Sequence, residues 1–242
     1  AFAETAGILP PEGVEPETVV GATLFGLAMF ATLFLGTVLA VFLTLGAVRG
    51  DAERGLLQPL VVRPLGRTTF LVGRFLGAAA VCATYVVLVY VGALLVTRAA
   101  GGWTPDRVVV PALELAAAVA ILVALSLLGS VILSATANGI AVFMLFGAGL
   151  VAGLLGQIGE AIDSPTLERV STRTAWALPF EALYQDGLRR LTEDSRGFTR
   201  FAVELGPFGG GQGYGAWLPW WTLVYLCGVL ALAAVAFARR DL

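Results

Sequence analysis

The sequence predicts an all-α protein that crosses a membrane several times. Of its 242 residues, 58% are hydrophobic and 13% are charged, whereas a soluble domain normally carries about 25% charged residues. The mean hydropathy is +0.87. Several apolar runs exceed the roughly 20 residues that a helix needs to cross a bilayer. We therefore expect a single polytopic transmembrane domain over residues 1–242.

Five apolar runs have the length of membrane spans. A basic loop, residues 49–69, separates the first two, and residues 136–138 separate the third and fourth as a tight helical hairpin. Trp103 and the Trp217, Trp220 and Trp221 group lie where interfacial anchors are expected. The predicted spans cover about residues 18–48, 70–96, 108–135, 139–158 and 216–238.

Arginines in the short loops predict the orientation. The 49–69 loop and the Arg239–Arg240 tail are basic, whereas residues 1–17 contain no basic residue. Because positive short loops stay in the cytoplasm, we expect the loop and the C-terminus inside and Ala1 outside. Five spans then imply one further span before Ala1, which would be the first of six.

Residues 159–215 form the longest polar stretch and are expected outside. Ser164–Pro165 and Pro179 are typical helix starts. After Pro179, apolar residues recur at helical spacing opposite charged ones, which predicts an amphipathic helix on the membrane surface or packed over the spans. The apolar set is Phe180, Leu183, Tyr184, Leu188 and Leu191, and the charged set is Glu181, Asp186, Arg189 and Arg190.

The chain contains no lysine and no histidine. A Walker A loop requires lysine, so the glycine-rich 206–215 segment is interpreted as a flexible connector. Histidine-dependent triads and metal sites are excluded within this chain. Cys82 and Cys227 lie in apolar runs and behave as small hydrophobes. We predict no catalytic, cofactor-binding or metal-binding residue, and the net charge of −2 gives no reason to expect nucleic-acid binding.

Two polar features lie within apolar runs. Glu114 is a functional candidate because a carboxylate in a membrane span is costly, although it lies about two turns from Arg107 at the outer end. Ser126, Ser130 and Ser134 recur every four residues along one face of the third span. These serines fit either helix packing or the lining of a transport pathway.

The 49–69 loop contains acidic and apolar residues that membrane topology alone does not require. Asp51 and Glu53 suit the N-terminal end of a short helix. Leu56, Leu57 and Leu60 add an apolar patch to a loop that should be solvated. This combination predicts a docking element for another protein.

The same loop resembles the membrane subunits of ABC-2 type ABC transporters, which often carry E-x-E-R-G-T-L, then P-[VLI]-S-R, then G-K. The departures are mild: Asp51 for Glu, Leu56 for Thr, Gly66 for Ser and Arg74 for Lys. The nitrous-oxide-reductase maturation permeases belong to the same broad group and are a candidate subfamily, although Met29, Met144 and the two cysteines make no copper-site pattern. The matching residues are Asp51, Glu53, Arg54, Gly55, Leu57, Pro64, Leu65, Arg67, Gly73 and Arg74.

The resemblance implies an ABC-2 permease fold with short external helices before the last span, in the plasma membrane of a prokaryote. Its partners would be two ATPase subunits, which carry ATP and Mg, and a second permease copy or homologue. It also implies export, powered through a coupling helix in this loop. The alternative is a membrane scaffold or maturation factor that recruits a cytoplasmic partner without transport. The implied docking residues are Asp51, Glu53, Arg54, Gly55, Leu56, Leu57, Leu60, Arg63, Pro64 and Arg67.

Overall fold

A computed structural model describes residues 16–45, 66–101, 104–105, 107–191 and 213–239. Within these ranges the chain forms seven helices and no strand, which confirms the predicted all-α class. The helices are α1 (Pro16–Thr44), α2 (Arg67–Gly101), α3 (Val109–Ile132), α4 (Ala135–Ala161), α5 (Pro165–Ala177), α6 (Pro179–Leu191) and α7 (Leu218–Ala238).

Five of the described helices, α1, α2, α3, α4 and α7, are long and apolar enough to cross a membrane. The longest, α2, has 35 residues, about 52 Å at 1.5 Å per residue. It runs past the predicted limit at residue 96, because nothing in the following turn breaks a helix. The Thr97 hydroxyl instead donates a hydrogen bond of 2.6 Å to the Ala93 carbonyl of the same helix.

The hairpin between α3 and α4 turns at Leu133 and Ser134, slightly before the predicted position. Ser134 has extended backbone angles (φ −67°, ψ 160°), and its carbonyl accepts the Asn138 N–H at 2.8 Å. Serine favours this half-helical position, so residues 136–138 belong to the first turn of α4.

Helix α3 is the centre of the bundle. In the most apolar stretch of α3, 61% of the residues are buried inside the bundle, whereas the corresponding share is 17% in α2 and in α7. Helices α1, α2, α4, α6 and α7 all pack against it. Most of the apolar surface of α2 and α7 is therefore left for lipid or another protein.

The alternating helix directions give the bundle two ends. At the first, named the loop end, α1 finishes and α2 begins: Thr44 bonds Ser126 near the end of α3, and the Phe70 and Phe237 rings lie 6.2 Å apart. At the opposite end, named the α6 end, α5 and α6 fold back onto the bundle. Gly159 permits the fold-back, because a Cβ there would lie 2.9 Å from Leu167 Cβ.

Candidate functional site

Helix α6 is enclosed at the α6 end of the bundle. From Pro179 to Leu188 every residue is buried, charged ones included. Phe180 stacks on Phe146 of α4 with ring centroids 5.9 Å apart, and Tyr184 meets Phe30 of α1 at 6.5 Å. Of the two predicted placements, the structure has α6 packed against the spans, with Glu181 and Asp186 of its charged face buried and Arg189 and Arg190 partly buried.

A buried charge cluster joins α6 to the start of α3. The Arg190 Nε lies 2.6 Å from Asp186 Oδ2 on its own helix and 3.1 Å from Glu114 Oε1 on α3. One guanidinium therefore serves two carboxylates. The side chains of Asp186, Glu114 and Arg190 are 0%, 9% and 19% exposed. Ion pairs withdrawn from water in this way depend strongly on both partners.

A second arginine and the start of the last span complete the charge cluster. Arg189 Nη2 lies 3.4 Å from Asp186 Oδ1, and the Tyr214 backbone N–H donates to the same oxygen at 3.4 Å. With two carboxylates and two guanidiniums, the cluster of Glu114, Asp186, Arg189 and Arg190 is formally neutral. It links α3, α6 and the residues that precede α7.

Gly187 explains how α6 comes close enough to α3. A Cβ at this position would lie 3.3 Å from Glu114 Oε2 and 3.6 Å from Pro111 Cα. Glycine leaves that space to the carboxylate. Glu114 therefore turns towards α6 and Arg190, and the sequence alone gave no partner for it.

A separate polar pair joins α6 to α4. The Gln185 Nε2 donates a hydrogen bond of 2.8 Å to Glu181 Oε1, and both residues are 1% exposed. The Glu181 carboxylate lies directly on Gly153 of α4, where any Cβ would collide with Oε1. Burial raises the pKa of Glu181 from its usual 4.5 to about 8, while the Gln185 hydrogen bond acts in the opposite direction.

The three predicted serines have different surroundings. Ser126 is fully buried, accepts a hydrogen bond of 2.6 Å from Thr44, and contacts the Asn138 amide. Ser130 is buried and donates to the Leu127 carbonyl at 2.7 Å. Ser134 is exposed in the hairpin turn. In this arrangement the first two serines act in packing, and a pathway role for the series stays a prediction.

The 49–69 loop, where the sequence predicts docking of a partner, connects the end of α1 to the start of α2. Its residues Asp51, Glu53, Arg54, Gly55, Leu56, Leu57, Leu60, Arg63 and Pro64 lie outside the described residues, and Arg67 is the first residue of α2. Glu114 and Ser126 are 12 positions apart on α3, about 18 Å at the rise of an α-helix. The buried charge cluster therefore lies well away from the Thr44–Ser126 contact at the loop end.

In the described ranges, no group of three His, Cys, Asp or Glu residues is placed to hold a metal ion. Cys82 is buried and Cys227 is exposed, and neither forms a disulfide. The contacts at the α6 end hold α6 against α3 and α4.

Comparison with protein families identifies the chain. Residues 10–242 match the family described as ABC-2 family transporter protein. The chain belongs to this family. It is an integral membrane protein and the permease component of an ABC transporter, a type of subunit that works with ATPase subunits. Comparison with curated proteins and with solved structures gives no match. The family match is general, so membership of the nitrous-oxide-reductase subgroup stays a prediction.

Sequence reasoning missed the partners at the α6 end of this permease. It placed Glu181, Asp186 and Arg190 on a polar face without assigning them contacts in the bundle. Two signals were present in the sequence: Gly149 and Gly153, four residues apart on α4, and Gly187 in the middle of an otherwise good helix. Glycines at such positions indicate close helix approach, but they do not say which helix approaches.

Proposed function

We propose that this permease couples ATP hydrolysis on two separate ATPase subunits to export of a substrate, as a dimer with a second permease copy or homologue. The observation that carries the proposal is the match of residues 10–242 to the ABC-2 family, together with the docking sequence in the loop that joins α1 to α2. The chain has no lysine for a Walker A loop. ATP and Mg would therefore be held by the partner subunits.

The loop end is the proposed site where energy enters. In the short helix that the sequence predicts before Pro59, Glu53, Leu56 and Leu57 would share one face, because they fall at positions i, i+3 and i+4. That face offers two leucines and one carboxylate to a groove on the ATPase, and Leu60 follows directly after Pro59. Closure of the ATPase pair on ATP would then move the ends of α1 and α2, which this loop connects.

The positive charge of the 49–69 loop supports a cytoplasmic location for the loop end, with the α6 end outside. The membrane would be the plasma membrane of a prokaryote. Helices α5 and α6 cover that outer end in the described arrangement. Export requires that this end open, and the contacts of α6 with α3 and α4 would have to loosen for it to do so. Movement at the loop end would reach them through α3, which contacts both regions.

The test is reconstitution of the full chain with the ATPase subunits that co-purify with it. We expect Glu53→Ala and the double change Leu56→Ala with Leu57→Ala to weaken partner binding or to uncouple ATPase activity from the permease. Gln58→Ala is the matched control, because in a helix this side chain would lie opposite the leucines. Normal assembly and normal permease-dependent ATPase activity in both loop variants would exclude the coupling role. Binding without any ATP-driven transport would favour the scaffold function instead.

A further inference from the structure

Three carboxylates are buried at the α6 end, and they differ in whether an arginine lies beside them to balance the negative charge. Asp186 and Glu114 both contact the guanidinium of Arg190. Glu181 is as deeply buried, at 1% exposed, but no described arginine pairs with it. Its one side-chain partner is the neutral amide of Gln185, and its Oε2 accepts no hydrogen bond from any described residue.

The surroundings of Glu181 contain little that could stabilise a negative charge. On α4 it lies on Gly153, with Phe180 packed on the neighbouring Gly149. The described titratable groups that face it are the phenols of Tyr184 and Tyr214. Burial raises the pKa of both phenols, and the negative charge of Glu181 adds to this effect.

The ionised groups of the neighbouring helices lie elsewhere. Glu160 of α4 and the charged residues of α5 are exposed, and Glu114 of α3 is paired with Arg190. The described residues of α7 between Leu218 and Ala238 include no Asp, Glu or Arg. No opposite charge therefore faces the Glu181 carboxylate from the described parts of these helices.

A buried carboxylate without a cation is much less stable than the neutral acid. A metal ion is a poor alternative, because no described group of three His, Cys, Asp or Glu residues could hold one, and Glu181 would be the single charged ligand. A proton requires one carboxyl group and nothing else. Gln185 can hold Oε1 in place while Oε2 carries the proton.

We propose that Glu181 is a proton-binding site, occupied while α6 is seated against α4. When α6 seats, the carboxylate takes up one proton from water and an O–H bond forms at Oε2. When the carboxyl group reaches water again, the same proton is released. Seating of α6 is thereby linked to protonation, so any movement that lifts α6 from α4 releases a proton at that end of the bundle.

Infrared spectroscopy of the full chain in lipid nanodiscs tests the proposal directly, because a protonated carboxyl group has its own C=O stretching band. At neutral pH, where ordinary Asp and Glu side chains are ionised, we expect the wild type to show this band. The band should disappear on alkaline titration with a midpoint near pH 8. Glu181→Gln should show a weaker band than the wild type, and the exposed-site control Glu160→Gln should show the same band as the wild type.

Absence of the band from the wild type at neutral pH would overturn the proposal, as would a band of undiminished intensity in Glu181→Gln. If Glu181→Gln does not fold, Gly153→Ala supplies the second measurement, because its added Cβ meets Oε1 and displaces the carboxyl group towards water. The titration midpoint should then fall by about one pH unit or more. An unchanged midpoint in folded Gly153→Ala would equally overturn the assignment.

Discussion

Replacing Arg190 with methionine removes the one guanidinium that contacts both Glu114 and Asp186. Methionine keeps much of the side-chain length and its apolar contacts, so the change isolates the charge. Asp186 would keep Arg189 at 3.4 Å. Glu114 would keep no partner of opposite charge among the described residues, and its Oε2 already accepts no described hydrogen bond.

The expected loss of stability follows from this geometry. Removing one partner of a buried ion pair costs about 3–5 kcal/mol. Because Arg190 is 19% exposed and Arg189 compensates Asp186 in part, the lower end, about 3 kcal/mol, applies. For a chain of this size that corresponds to a decrease in Tm of roughly 6–12 °C.

Thermal unfolding of the purified permease in detergent measures this decrease. Arg173→Met is the matched control, because Arg173 is exposed on α5 and an exposed charge should change stability by about 0.5 kcal/mol or less. The double variant Glu114→Gln with Arg190→Met should be more stable than Arg190→Met alone, since it removes the unpaired carboxylate. Equal Tm values for Arg190→Met and Arg173→Met would refute the view that this cluster holds α6 on α3.

Two further predictions concern the contact between α4 and α6. Gly149→Ala should destabilise the permease by about 1–3 kcal/mol, because the new Cβ would lie 2.6 Å from Phe180 Cζ; the control Gly147→Ala, with nothing within 4 Å, should be neutral, and equal Tm values would contradict this packing. The second prediction is a pH series. The folded-state pKa of Glu181 is raised from 4.5 to about 8, so between these two pH values the folded state binds more protons than the unfolded state. Its contribution to stability is complete below pH 4.5 and is lost as pH rises to about 8. The wild type should lose Tm relative to Glu181→Gln across that window, and parallel Tm curves would count against the buried acid.

The sequence determined the class and most of the helices. Apolar runs of about 20 or more residues predict membrane spans. Proline starts the helices at Pro165 and Pro179, because its fixed φ suits the first turn. These are local signals, so no coordinates are needed to interpret them.

The tertiary structure decided what the charged residues of α6 contact. An amphipathic pattern after Pro179 is equally typical of a helix on a membrane surface and of one buried with its charges paired. Glu114 and Arg190 are 76 positions apart in the sequence, and their contact depends on Gly187 allowing α6 to approach α3. Glu181 meets Gly153 in the same way. Such pairings are set by how close two helices pack and by their relative rotation, and those quantities exist only in the folded bundle.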